Sequence, residues 1–510
     1  MNRRDALRSL IGAATFPSLG LLEGRGADTV ERPVPAALSR IQVHPSGHLL
    51  QTEDGRPFFW LGDTAWQLVH GTSRSECSYY LHTRALQGFT VIQTVILSEF
   101  DGLNHPSEFG ERPLYDDDPG RPNPAYFRRV VEIVDEAARE GLYVALVPAW
   151  GDKLTAPWGV GPRIFTTQNT PAAAGFGRYL GALLKDRGNV VWLLGGDRPA
   201  KLPGLRNDYL SKMAAEAGFP PDQDWSPVWR ALAEGLGEGL GRPPLTIFHP
   251  QGGPDSSSVL LPGARWLGVN GMQSGHGGGH DVPVWDWIAR DFAQFPAKPT
   301  LDLEPNYEDH PFNPWPRWDP ATGYFRDHDV RKQTYRSVFA GGCGVTYGHH
   351  AVWQFAGPGR EVINHADRDW ADALWRPAGR QMRFLRALVE SRPFFTRIPD
   401  PGFIVGDPGS GGNHAQACRD SAGSYAFVYF PGCDLTLTLD ATRLRAARVR
   451  AWWYDPRTGV GSPAGVMAGG GQLSMKSPAY GPDWVLVLDD AQAPFAPPGL
   501  PPGTGPAVPS

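Results

Sequence analysis

Between Phe58 and Tyr347 the chain repeats one pattern: a short unbroken apolar run, a polar or Gly-rich break, then apolar residues at helical spacing. Eight runs, at 58–62, 90–97, 143–148, 190–195, 245–248, 267–270, 300–303 and 344–347, read as strands covered on both faces. The gaps carry helices. Phe127, Val130, Val131, Val134 and Ala138 line one helical face, with Gly141 as a stop, and 75–87 ends at Gly88 in the same way. Residues 329–340 and 369–389 are further helices. Eight β–α units predict an α/β fold, a (β/α)8 TIM barrel. A doubly wound open sheet is the alternative. It requires a Gly-rich phosphate turn after the first strand, where this chain has Leu61-Gly62-Asp63-Thr64-Ala65-Trp66. Ahead of the repeat, 41–50 and 57–61 read as strands around the turn Glu53-Asp54-Gly55.

After about residue 395 the period changes. Runs at 425–430, 435–439, 449–454 and 484–488 alternate like strands, with turn residues and no helix between them. A small antiparallel β-sandwich is expected. The last twenty residues hold seven Pro and predict a disordered tail. At the other end, Arg3-Arg4-Asp5-Ala6-Leu7 precedes a weak apolar stretch from Leu10 to Leu22. This pattern resembles a twin-arginine export signal, cleaved near Ala27 or Ala37, for a periplasmic or extracellular protein. Pro17 and Glu23 disfavour a permanent membrane span. The expected organisation is an export signal and linker over 1–37, a barrel over 38–394, a sandwich over 395–492 and a Pro-rich tail over 493–510.

Composition narrows the function. A net charge of -5 over 510 residues, with no basic stripe, gives no footprint for nucleic acid. Eighteen Trp is a high count: core packing is the main use of such a side chain, and sugar stacking is the alternative for those near strand ends. Of four cysteines, Cys77 and Cys343 read as core thiols, while Cys418 and Cys433 flank a hairpin and are placed for a disulfide.

In a parallel barrel every strand end opens on one rim, where active sites lie. Asp63 and Trp66 follow the first strand, Glu99 the second, Trp150 and Asp152 the third, and Asp197 the fourth. His249 follows the fifth, Gln273 and His276 the sixth, Glu304, Tyr307 and Glu308 the seventh, and His349, His350 and Trp353 the eighth. Asp197 and Glu304 are the catalytic pair, since two carboxylates across one cleft are the machinery of glycosidic bond hydrolysis. Asp197 has an alternative use as a helix N-cap, and Glu304 as the partner of an Arg. Asp63, Trp66, Trp150, Gln273, Tyr307 and Trp353 are expected to bind the substrate. Tyr307 or an Arg is expected to donate to Glu304, and Glu308 to hold such groups in place. No metal or other cofactor is expected: the first strand lacks a His-x-His pair, and His276 and His280 flank a flexible Gly run. No Gly-x-Ser-x-Gly elbow is present.

Phe58-Phe59-Trp60-Leu61-Gly62-Asp63-Thr64-Ala65-Trp66, then Trp192-Leu193-Leu194-Gly195-Gly196-Asp197, then Glu304-Pro305-Asn306-Tyr307-Glu308 resemble the apiosidase-like barrel of glycoside hydrolase family 140. The region after it, including Trp453-Tyr454-Asp455-Pro456-Arg457-Thr458-Gly459, resembles the β domain often paired with that barrel and named for collagen binding. The resemblance implies a retaining glycosidase that releases apiose from plant pectin side chains. It places the acid/base at Asp197 and the nucleophile at Glu304. The wider clan of retaining barrels has Asn-Glu where this chain has Gly196-Asp197. The alternative function is a glycan- or matrix-binding protein on a barrel that has lost activity.

Overall fold

The computed structural model describes residues 38–155, 160–206, 208–312 and 317–501. The export leader expected over 1–37 and the last residues of the tail, 502–510, lie outside them. Eight parallel strands form one sheet: β1 (Trp60–Thr64), β2 (Val91–Leu97), β3 (Tyr143–Ala149), β4 (Val190–Gly195), β5 (Thr246–His249), β6 (Asn270–Met272), β7 (Thr300–Asp302) and β8 (Gly344–Tyr347). Their order is β5-β4-β3-β2-β1-β8-β7-β6, and a parallel bridge from Ile247 to Val269 joins the two edges. The sheet is a closed barrel, so the open-sheet alternative falls. All strands are buried because helices cover the outside and side chains fill the inside. The filling is partly polar: Gln93 donates to Leu303 O (3.0 Å), Thr346 to Gln93 (3.2 Å) and Trp60 to Thr346 (3.2 Å). These bonds satisfy groups that would otherwise be stranded without water.

Two predicted elements are divided. The strand expected over 41–50 breaks at His44–Gly47, where Gly47 takes φ 78° and donates to His44 O. A three-stranded antiparallel sheet results: Ile41–Val43, Leu50–Thr52 and Pro57–Phe58. The last barrel helix splits into Trp370–Ala373 and Pro377–Glu390, because the residue before Pro377 is extended, with ψ 153°.

The C-terminal region is a β-sandwich. One sheet holds β9 (Arg397–Pro399), β11 (Gln416–Asp420), β12 (Tyr425–Phe430), β17 (Trp484–Asp490), β14 (Arg448–Asp455) and β15 (Val460–Ala468), in that spatial order. The other holds β10 (Ile404–Val405), β13 (Thr436–Asp440) and β16 (Gln472–Lys476). β12 shows why its sequence is apolar throughout. Tyr425, Phe427 and Tyr429 join the barrel core, while Ala426, Val428 and Phe430 fill the sandwich. Against the barrel helix Asp327–Phe339, Tyr335 stacks on Tyr429 (5.5 Å) and Phe339 on Phe427 (5.7 Å). Buried ion pairs Arg331–Asp483 and Arg392–Asp489, each at 2.8 Å, close the junction.

Two expectations fail here. Cys418 and Cys433 are free thiols: Cys418 is buried on the barrel-facing side of the large sheet, and Cys433 is exposed in the turn after β12. Among the described residues the tail has no helix or strand after residue 490 but is not disordered from 493, since Phe495 packs on the core with the Arg392 guanidinium 4.8 Å from its ring centre. Among the described residues no helix is long and apolar enough to cross a membrane.

Candidate active site

A cavity of about 930 Å³ opens at the C-terminal rim of the barrel. Trp66, Glu99, Trp150, Asp197, Gln273, His276, Glu304, Tyr307 and Trp353 all line it. The strands that contribute them are far apart in sequence and adjacent only because the barrel closes.

Glu304 follows β7 and precedes Pro305, which keeps its backbone out of a helix. The carboxylate is 7% exposed. Gln273 Nε2 donates to Oε1 (2.9 Å), and His276 Nε2 lies 3.2 Å from the same oxygen. The Tyr307 backbone N–H donates to His276 Nδ1 (3.3 Å), so Nδ1 accepts and the ring's proton sits on Nε2, facing Glu304. His249 Nε2 lies 3.3 Å from Oε2, close but not aligned as a hydrogen bond. Burial alone raises the carboxyl, but the close approach and charges of His249 and His276 outweigh it and hold Glu304 well below the usual carboxylate range. Oε1 is thus occupied, while Oε2 has no aligned donor.

Asp197 stands at the end of β4 on an unusual backbone. Gly195, Gly196 and Asp197 take φ 95°, 109° and 51° in succession. A side chain on Gly195 would lie 2.3 Å from His249 O, and one on Gly196 2.6 Å from the Trp150 ring. Only glycine fits both, and Asp tolerates the third left-handed position. The turn pins β4 to β5: Gly196 N–H donates to His249 O (3.0 Å) and Asp197 N–H to His249 Nδ1 (3.4 Å). Asp197 caps no helix, since the next begins at Asp208. Its neighbour Arg198 is fully buried and donates to Asp197 O (2.9 Å) and Oδ2 (3.3 Å).

Aromatic faces form the walls. Trp66 and Trp150 lie 5.0 Å apart, ring centre to ring centre, and Phe100 lies 5.5 Å from Trp353. His310 stacks on His276 (4.3 Å) and meets Trp318 edge-on (4.6 Å). Burial pushes the Tyr307 phenol far above its ordinary value, with the Glu304 charge adding to it.

Several expected site residues serve the scaffold instead. Asp63 does not reach the cavity. Its carboxylate points outward to the helix Arg74–Leu86, accepting from Tyr80 (2.6 Å) and Arg84 Nε (2.7 Å). In a strand alternate residues face opposite sides, and Asp63 is on the helix side. Asp152 pairs with Lys153 (2.8 Å). Glu308 accepts from Tyr347 (2.7 Å) and from the Ala378 N–H (3.1 Å) at a helix N-terminus, so it supports β8 rather than Glu304. His349 and His350 point apart, to Asp309 (3.2 Å) and Asn364 O (2.8 Å). The contacts on Glu304 Oε1 come from Gln273 and His276, the Tyr307 phenol interacts with the same carboxylate as expected, and among the described residues no Arg pairs with it. Phe100, Gln251, Trp287, His310 and Trp318 line the cavity without having been singled out. Trp287 lies in the helix Val284–Phe292, and the others sit in connections whose path no local pattern reveals. Among the described residues no three His, Cys, Asp or Glu side chains are grouped to hold a metal ion.

Residues 44–396 match the family model described as "Apiosidase-like, catalytic domain". Residues 398–489 match the model described as "Putative collagen-binding domain of a collagenase". A crystal structure named as a glycoside hydrolase family 5 protein from Bacteroides vulgatus is 28% identical, with a TM-score of 0.76 over 90% of this chain and 94% of that one. Another solved structure, named Glycoside hydrolase, is also 28% identical, with a TM-score of 0.75 over 90% of this chain and 98% of that one. No curated protein has a matching sequence.

Proposed function

The chain belongs to the apiosidase-like family and is a glycoside hydrolase, and from that premise we propose that it releases a terminal sugar with retention of configuration. The sugar is apiose, the donor a plant pectin side chain or related glycoside. Glu304 is the nucleophile and Asp197 the acid/base.

One observation carries the reading: Glu304 lines the cavity as an anion, with Oε1 held by two donors and no aligned hydrogen bond on Oε2. A carboxylate so fixed loses little freedom on attack. Oε2 adds to the anomeric carbon as the glycosidic C–O bond breaks, and Asp197 gives its proton to the departing oxygen. Asp197 then takes a proton from water, whose oxygen displaces Glu304 from the glycosyl-enzyme. Gln273 and His276 hold the carboxylate in place, and the indole faces of Trp66, Trp150 and Trp353 receive the C–H faces of the sugar. The substrate residues of this reading are therefore Trp66, Trp150, Gln273, Tyr307 and Trp353.

Proton NMR of the first-formed sugar is the test. Retention is expected, and azide is expected to restore turnover to Glu304→Ala as a glycosyl azide of inverted configuration. An inverted first product overturns the mechanism. The reading includes export through the Arg3-Arg4 leader. Replacing both with Lys is expected to leave precursor in the cytoplasm, and unchanged processing overturns that part.

A further inference from the structure

The cavity holds a third carboxyl that the mechanism leaves unused. Glu99 lies two residues past the end of β2, beside Phe100 and near Trp353. Part of its surface is open, onto the cavity. Among the described residues no hydrogen-bond donor and no cation reaches its carboxyl at bonding distance.

The groups around it explain why. Arg198 attracts it, while Asp152, Asp197 and Glu304 repel it. Arg198 itself is turned to another acid, and the three acids have partners of their own. Arg198 contacts Asp197 Oδ2 (3.3 Å), Lys153 contacts Asp152 (2.8 Å), and His249 and His276 lie 3.3 and 3.2 Å from Glu304. Burial is the main influence and the three acids add to it, so against Arg198 the Glu99 carboxyl rises to about 8. At neutral pH it is a carboxylic acid, with one O–H donor and one C=O acceptor.

A desolvated polar group without a protein partner costs stability unless a ligand completes it. An ionised carboxylate only accepts, whereas a carboxylic acid donates and accepts side by side. That pattern matches two neighbouring sugar hydroxyls, each of which can do both.

We infer that Glu99 is a specificity-determining residue whose carboxyl, on the cavity wall with no bonded protein partner, hydrogen-bonds two neighbouring hydroxyls of the sugar held against Glu304. It stands clear of the glycosidic bond and transfers no proton in the reaction. The inference rests on the glycosidase reading of this cavity.

Two measurements test it. The first is kcat/KM for a 4-nitrophenyl apioside against pH, in the wild type, Glu99→Gln and Glu99→Ala. The wild type is expected to lose about tenfold per pH unit above about 8, as one proton leaves. Glu99→Gln lacks that limb. KM rises at least about tenfold in Glu99→Ala, with a smaller change in kcat, and Glu99→Gln recovers most of it, because the amide still donates and accepts. A retained alkaline limb in Glu99→Gln, or an unchanged KM in Glu99→Ala, overturns the inference.

The second is thermal unfolding, which needs no substrate. An unfolded Glu ionises near 4.5, so between 4.5 and about 8 the folded protein keeps a proton that the unfolded chain has released. Stability therefore falls as pH rises through that window. Glu99→Gln abolishes the fall: it is expected to melt several degrees above the wild type at pH 8 and level with it at pH 5. An equal difference at both pH values means Glu99 is ionised in the fold, and the inference fails whether or not a glycoside is cleaved. Failure of the glycosidase reading has a separate sign, full hydrolysis by Glu304→Gln.

Discussion

Glu304 and Asp197 stand at the same rim of one cavity and are held in opposite ways. Glu304 is 7% exposed, sits on extended backbone before a proline and is fixed by Gln273 and two histidines. The Asp197 side chain is 32% exposed, rides on three successive left-handed residues and has Arg198 beside it. The contrast matches the proposed division of labour. A nucleophile has to stay anionic and aimed, so desolvation with donors on one oxygen serves it. An acid/base has to gain and lose a proton in every cycle, so it needs access to water and backbone that presents it rather than buries it.

The largest expected effect breaks the comparison at its centre. Glu304→Gln is expected to lower kcat by on the order of 10⁴-fold or more, for good and poor leaving groups alike. Asp197→Asn is expected to lower it by about 10²–10⁴-fold for a sugar or alcohol leaving group, and little in the first step for 4-nitrophenol, which departs unprotonated. Equal sensitivity of the two variants to the leaving group would show that the carboxylates do not divide the work in this way.

A smaller effect is expected from the turn that presents Asp197. Gly196→Ala puts a methyl 2.6 Å from the Trp150 ring at φ 109°, so two penalties act together. A loss of about 2–4 kcal/mol in stability by chemical denaturation, with a fall in kcat of about tenfold or more, is the expected outcome. A variant as stable and active as the wild type would show that the turn is not needed to aim Asp197.

The smallest effect sharpens the other side. His276→Ala removes one of the contacts that hold Glu304 down, so its carboxyl titrates at higher pH. The reacting form is the anion, and activity is lost as pH falls through that titration. The acid limb of kcat/KM is therefore expected to move upward by roughly one pH unit, about 1.4 kcal/mol of lost anion stabilisation. The same sign holds for folding: the stability that Glu304 contributes is present at neutral pH and lost as pH falls through its folded value, and in the variant that loss begins sooner. An unmoved acid limb would assign the stabilisation to His249 and Gln273 alone.

The amino-acid sequence by itself determined the number and order of the eight strands, because a strand covered on both faces is mostly apolar, although the sixth lies at Asn270–Met272 and not at 267–270. It also placed Asp197 just past the fourth strand, whereas the left-handed Gly195-Gly196-Asp197 turn that presents it is visible only in the structure. Strand counting then brought Asp197 and Glu304 to one rim, with Trp66, Trp150, Gln273, Tyr307 and Trp353. Exposed edge strands were not legible: β15, Val460–Ala468, contains Pro463 and two glycines and is only partly covered along its length, so no period marks it. The direction of single side chains was not legible either. Asp63 and Thr64 are neighbours at a strand end, and only the packing of Tyr80 and Arg84 against the barrel shows that Asp63 faces the helices. The partners of a charge lie furthest from sequence. His249 and His276 reach Glu304 from other strands, 55 and 28 residues away, and Glu99 has no bonded partner because Arg198, the cation near it, is turned to Asp197. Periodicity is set residue by residue along the chain, whereas a carboxyl's proton depends on every charge within a few ångströms in space. That environment exists only once the barrel has closed.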